Sequence, residues 1–145
     1  MNVVPMGERV PASSLERAFE EISRQQQLQQ LTGGTHACAW VSNAGEILLL
    51  REDVGRHNAL DKLIGAIAKS GAGTTGFVLT TSRASYEMVQ KTASAGIPLL
   101  VAMSAPTGLA IKIAQSCGIT LVGFARHQKH VIYSCPERIL HKEAK

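Results

Sequence analysis

The sequence is short of cysteine, of aromatic residues and of long apolar runs. Its three cysteines, Cys38, Cys117 and Cys135, are scattered, which gives neither a disulfide framework nor a paired metal-ligand motif. A reducing cytoplasm is the simplest setting for such a chain. No apolar stretch approaches the roughly 20 residues that a membrane span needs, and Met1 to Val10 lacks the charged-then-apolar layout of a signal peptide. No run of lysine or arginine is long enough for a nucleic-acid tail. The expected partners therefore include neither membrane nor nucleic acid. Several catalytic signatures are missing too: there is no Gly-x-Ser-x-Gly elbow, no Walker loop and no Gly-x-Gly-x-x-Gly fingerprint. A zinc deaminase needs a His-x-Glu pair and a Pro-Cys-x-x-Cys pair. Neither is present, and no other Cys/His spacing resembles a closed zinc site, so no metal site is expected.

What is there is an ordinary globular chain of 145 residues, 45% hydrophobic, with a formal charge of +4 that favours an anionic ligand. That length is one domain with a real core. Residues 1–12, with Pro5 and Pro11, read as an extended linker. A helix is predicted from Ser13, capped by Ser14, with Leu15, Phe19 and Ile22 at helical spacing. Thr35–Ser42 and Glu46–Arg51 read as strands joined by the Asn43-Ala44-Gly45 turn. A helix over Asn58–Lys69 follows, then a strand at Phe77–Thr81 and a helix over Ser85–Ala95. A strand at Pro98–Met103 leads to a helix capped by Ser104, with Leu109, Ile113 and Cys117 at four-residue steps. Strands at Ile119–Phe124 and Val131–Cys135 close the chain. This order predicts a three-layer α/β/α sandwich whose mixed sheet of about five to six strands is parallel at its centre and antiparallel at its edges.

The densest chemistry lies in Arg51–Lys62, where seven of twelve residues are charged or histidine. It sits at a strand-to-helix joint, where free backbone N–H groups can hold an anion. Three more joints carry polar residues: Thr80–Glu87, Ser104–Gly108 and Gly123–His130. All four would open on one rim of a parallel sheet. Their hydroxyls and helix starts, with Arg56, Arg83, Arg126 and Lys129 nearby, suit a phosphate or pyrophosphate. His36 and His57 are candidates for acid–base work, the latter with Asp53, which leaves a hydrolase-like reading open. Cys38, two residues after His36, is either a reactive thiol or core filling.

Four segments, Gly33-Gly34-Thr35-His36-Ala37, Arg51 to Lys62, Ser82-Arg83-Ala84-Ser85-Tyr86-Glu87-Met88 and Leu121-Val122-Gly123-Phe124, resemble the formate dehydrogenase accessory sulfurtransferase family, FdhD. The similarity runs from about Ser13 to Leu140. The resemblance implies a cytoplasmic homodimer with a cytidine-deaminase-like core that has lost its zinc. It further implies carriage of sulfur from a cysteine desulfurase to Mo-bis(molybdopterin guanine dinucleotide), a molybdenum cofactor destined for formate dehydrogenase, with GDP as a possible mimic. The expected cofactor-binding residues are then Phe124, Ala125, Arg126, His127, Gln128 and Lys129, together with Thr35, His36, Arg56, His57, Ser82, Arg83, Ser85 and Ser104. In the family the sulfur-carrying cysteine belongs to a Cys-x-x-Cys motif upstream of the segment equivalent to Val3–Pro11, and this chain begins too late to contain it. Residues 13–145 are therefore expected to be a cofactor-binding domain that keeps ligand binding without the transfer. A non-catalytic module for a guanine nucleotide or the same cofactor is the alternative.

Overall fold

Three short, mostly apolar runs, Phe77–Thr80, Leu99–Ala102 and Thr120–Phe124, are buried at every position and so are covered on both faces. They form the middle of the structure. A computed structural model describes residues 9–29, 35–71, 75–124 and 129–140. Its elements are β1 (Val10–Pro11), α1 (Ala12–Gln29), β2 (His36–Val41), β3 (Ile47–Asp53), α2 (Arg56–Ser70), β4 (Phe77–Thr80), α3 (Tyr86–Ser94), β5 (Leu99–Ala102), α4 (Gly108–Cys117), β6 (Thr120–Phe124), β7 (His130–Ser134), a 3₁₀ turn (Pro136–Arg138) and β8 (Ile139–Leu140). The main sheet has the order β3-β2-β4-β5-β6-β7. β4, β5 and β6 are parallel, while β2, β3 and β7 complete the sheet through antiparallel pairings. The mixed sheet with a parallel centre is the one expected from the sequence.

Each face of the sheet has its own core. Ala37, Ala39, Val41, Phe77, Leu79, Leu99 and Val101 pack with Leu15, Ala18 and Ile22 of α1. Cys38, Trp40, Val78 and Leu100 pack with Leu60, Leu63 and Ile67 of α2, Met88 and Val89 of α3, and Ala110, Ala114 and Cys117 of α4. Burying each large aliphatic side chain is worth about 1.5–3 kcal/mol, so the alternation within β2 commits the strand to this register.

Local chemistry shifts several expected boundaries. The segment 1–12 is not linker throughout: Val10 and Pro11 pair in parallel with Ile139 and Leu140, and α1 starts at Ala12. Ser14 therefore lies inside the helix and does not cap it. Its Oγ donates to Asn43 O at 2.6 Å, and Arg17 donates to Ala44 O at 2.9 Å, which fixes α1 onto the β2–β3 turn. Gly45 in that turn has φ +93°, and a Cβ there would stand 2.9 Å from Ser14 O. The turn needs glycine both for its backbone and for this close approach. Helix α2 begins at Arg56 with Gly55 as its cap residue, two residues ahead of the expected Asn58. Helix α4 is capped by Thr107, whose side chain accepts from Ala110 N–H, so Ser104 is loop. The stripe it buries is Ala110, Ala114 and Cys117, while Leu109 is 64% exposed. The buried face steps by four and then three residues, with the small Ala110 and Ala114 in place of Leu109 and Ile113, and only Cys117 stands where expected.

Candidate functional site

Because β4, β5 and β6 run the same way, their carboxyl ends share one rim of the sheet. The antiparallel partners bring the start of β2, the end of β3 and the start of β7 to that rim as well: Cys38 lies beside Thr80, His36 beside Asp53, and Phe124 beside His130. All four polar joints singled out in the sequence therefore meet the same edge. Backbone bonds tie neighbouring joints together. Ala37 N–H donates to Thr81 Oγ1 at 3.0 Å, Met103 N–H to Thr80 O at 3.0 Å, and Thr107 N–H to Ala84 O at 3.2 Å. Gly123 lets the Ser104–Pro106 loop rest on β6, since a Cβ there would be 2.9 Å from Ser104 O and 3.2 Å from Pro106 Cδ.

The Arg51–Lys62 block divides into residues that build the joint and residues that it presents. Asp53 accepts from Gly55 N–H at 3.0 Å and pairs with Lys62 at 2.8 Å. The Gly55 N–H first, and then Lys62, hold its carboxyl at a pKa of about 2. Its oxygens go to these groups, and no bond between Asp53 and His57 occurs among the described residues. The hydrolase-like pairing of His57 with Asp53 is thereby corrected. Asp61 pairs with Lys91 of α3 at 2.7 Å. What remains on the first turn of α2 is Arg56, exposed, and His57, half-buried. No side chain caps this helix start, so its first N–H groups are open to a ligand.

At the other joints, hydroxyls mostly serve the fold. Ser82 is buried and exchanges a 3.0 Å hydrogen bond with Thr80 Oγ1, and Ser85 caps α3 by accepting from Met88 N–H. Arg83 between them is exposed, as is Ser104. Thr35 and His36 are half-buried at the start of β2. Phe124 is 4% exposed and stacks on Phe19 of α1 with ring centroids 4.2 Å apart. That contact makes it core, despite its place in the expected cofactor set. His130 Nδ1 lies 3.1 Å from Glu16 Oε2, and Lys129 before it is exposed. Ala125, Arg126, His127 and Gln128 lie outside the described residues.

Three cations thus project from the rim, Arg56, Arg83 and Lys129, and none makes an ion pair among the described residues. Two of them stand at helix starts. The peptide dipoles leave partial positive charge there, which Asp53 beside Gly55 N–H and Glu87 in the first turn of α3 offset in part.

The thiols are unlike this. Cys38 is fully buried, and burial pushes it up to about 11 against a partly opposing hydrogen bond with Thr80. Cys117 is also raised by burial. Cys135 is raised by burial and then by Glu137, with Arg138 pulling the other way. None has the lowered pKa of a nucleophilic thiol, and Cys38 is core filling. No group of three or more potential metal ligands occurs among the described residues. A groove of about 590 Å³ lies between α2 and α3, lined by Asp61, Ile64, Glu87, Gln90, Lys91 and others. It runs along the helix flank with charges of both signs, a poorer match to a polyanion than the rim.

Comparison with known proteins decides the family. The FdhD/NarQ family model matches residues 2–140. The chain belongs to the FdhD/NarQ family. It is 54% identical to the sulfur carrier protein FdhD of Bordetella parapertussis over 131 residues, which is 90% of this chain and 48% of that protein. It is 53% identical to the sulfur carrier protein FdhD of Variovorax paradoxus over 137 residues, 94% of this chain and 49% of that protein. The chain spans about half the length of the curated relatives it matches. A solved structure designated a formate dehydrogenase accessory protein, from Desulfotalea psychrophila, superposes with a TM-score of 0.84 at 32% identity, covering 97% of this chain and 60% of that one.

In this FdhD/NarQ domain, sequence reasoning missed the residues that make the rim rigid. Lys62 reads as one more charge in a crowded block, and only the fold brings it 2.8 Å from Asp53. Thr81 and Thr107 carried a signal, as hydroxyls beside strand ends and helix starts. Glu16 and Phe19 sit more than 100 residues before His130 and Phe124, and nothing local connects them.

Proposed function

We propose that the rim of this domain holds Mo-bis(molybdopterin guanine dinucleotide) while the cofactor is sulfurated for formate dehydrogenase. The observation that carries the reading is the set of three exposed cations on one rim, Arg56, Arg83 and Lys129, which make no ion pair among the described residues, two of them at helix starts. Such a set suits a ligand with several phosphate charges, and a cofactor with two pyrophosphates supplies them. The designation of the relatives as sulfur carrier proteins supports the sulfur part. In that chemistry a thiolate attacks the outer sulfur of a donor persulfide and the donor leaves as its own thiolate. A cysteine desulfurase is the donor class that fits. Cys38 and Cys117 are buried, and all three thiols, Cys135 included, are harder to ionise than usual, so none suits the attack, and in this reading the rim residues hold the acceptor. In this reading the domain works in the cytoplasm as a homodimer, which gives two rims to a cofactor with two guanine ends.

Calorimetric titration with GDP, run beside a plain sugar phosphate, tests the proposal. GDP is expected to bind and the sugar phosphate to bind more weakly. Binding of the sugar phosphate with none of GDP would defeat the guanine-dinucleotide reading. A binding module without sulfur chemistry would show the same titration. It parts from the proposal when full-length protein from the family, loaded by a desulfurase, fails to sulfurate the cofactor.

A further inference from the structure

The chain has one tryptophan, two tyrosines and three phenylalanines. Trp40 and Phe77 are fully buried, and Phe19 and Phe124 stack on each other on the α1 side. Tyr133 packs half-buried against the core on the other face. Tyr86 is different. It is 37% exposed, it is the first residue of α3, and it therefore stands on the rim just after Arg83 and the capping Ser85. Its hydroxyl oxygen accepts from Gln90 Nε2 at 3.0 Å. That bond one turn along the helix holds the ring in place and leaves the phenolic hydrogen free to donate. Two further large apolar side chains are in the open near helix starts, Leu109 on the first turn of α4 and Val54 just before α2, the latter 73% exposed. The starts of α2 and α3 thus each pair an exposed apolar or aromatic side chain with an exposed arginine close in the chain, Val54 with Arg56 and Tyr86 with Arg83. A free phosphate calls for the cations alone. A planar base joined to phosphates calls for both.

We propose that Tyr86 is a specificity-determining residue of the rim: the purine base of the bound nucleotide stacks on its ring, with the phosphates directed to Arg83 and the open start of α2. This rests on the reading of the rim as a guanine-dinucleotide site and adds which side chain tells a nucleotide from a bare pyrophosphate. Because every base has a π-face, the ring selects for a base and leaves the choice among bases to other groups.

The test is calorimetry of the whole chain and its Tyr86→Ala and Tyr86→Phe variants with GDP and with inorganic pyrophosphate. Base stacking on an aromatic side chain predicts that Tyr86→Ala weakens GDP by about 5- to 150-fold and pyrophosphate by less than about twofold. Tyr86→Phe keeps GDP within about threefold of the parent. In the unsubstituted protein, GDP moves the Tyr86 ring-proton resonances upfield and pyrophosphate does not. Full GDP affinity in Tyr86→Ala overturns this inference and leaves the rim site standing. Equal weakening of both ligands also overturns it, since the ring would then be supporting the joint. So does weakened GDP binding that accompanies a change in molecular mass by light scattering, which would make Tyr86 a contact between copies. Failure of the unsubstituted protein to bind either ligand removes this inference and the reading it rests on together.

Discussion

The two ends of the sheet use arginine in opposite ways. At the end away from the rim, Arg138 is 3% exposed and donates to Gly118 O and, at 3.2 Å, to Thr120 Oγ1. Gly118 is the residue that closes α4 in the left-handed conformation, so the guanidinium lies against the negative end of a helix dipole. Around it, Thr120 Oγ1 donates to Cys135 O at 2.7 Å, and Ser134 Oγ to Ile119 O at 2.7 Å. Cys135 takes φ +45° to enter the 3₁₀ turn. The hydroxyls of Thr120 and Ser134 and the Arg138 guanidinium all have partners that the fold supplies. At the rim, Arg56 and Arg83 stand by the positive ends of helices and make no ion pair among the described residues. The difference separates an arginine that the fold holds from two that it leaves exposed, which the proposed function assigns to an anion.

Substitution should therefore split into two classes. Arg138→Leu leaves Gly118 O and Thr120 without a donor inside the protein, and about 2–4 kcal/mol of stability should be lost. Urea unfolding measures that loss, and GDP affinity should hold within about twofold. Gly123→Ala should cost about 1–3 kcal/mol, because the added methyl meets Ser104 O at 2.9 Å and the loop must shift. That variant should weaken GDP too, since it moves part of the rim. Arg56→Ala and Arg83→Ala should each lose about 1–3 kcal/mol of GDP binding while stability stays within about 0.5 kcal/mol. Arg126→Ala with Lys129→Ala belongs to the same class, and unchanged affinity would remove the last loop from the site.

The fold was legible in the sequence where one signal dominated. Short, mostly apolar runs marked β4, β5 and β6, and the Asn43-Ala44-Gly45 turn marked β2 and β3 as a hairpin. The places of the four polar joints followed from that topology. Which of their residues reach solvent did not. Ser82, Ser85 and Phe124 look like ligand groups in the sequence and prove to be buried, because hydroxyl caps and ring stacks use the same residue types as ligand sites. The helix starts were misplaced for a similar reason. Ser14, Asn58 and Ser104 are all good caps, yet Pro11, the Asp53–Gly55 contact and Thr107 set the boundaries. Pairings such as Glu16 with His130 depend on contacts far apart in the chain, and no local pattern announces them.

The smallest expected effect sharpens the same comparison on the rim itself. Asp53, held near pKa 2 by Gly55 N–H and Lys62, belongs to the residues that build the joint. Its carboxyl is depressed below the ordinary value of 3.8, so its contribution is fully present above that pH and is lost as pH falls toward about 2. Asp53→Asn should accordingly flatten the dependence of the melting temperature on pH between about 4 and 2 and leave it unaltered near neutrality. A slope in that window equal to the parent's would show that the Asp53 contact does not hold the start of α2.

The most direct measurement is a GDP titration of the Arg56→Ala/Arg83→Ala/Lys129→Ala protein beside its parent, with urea unfolding of both. The account predicts no heat of binding at GDP concentrations that saturate the parent, together with an unchanged unfolding midpoint. Parental affinity in the triple variant would contradict it and move the anion site away from the rim.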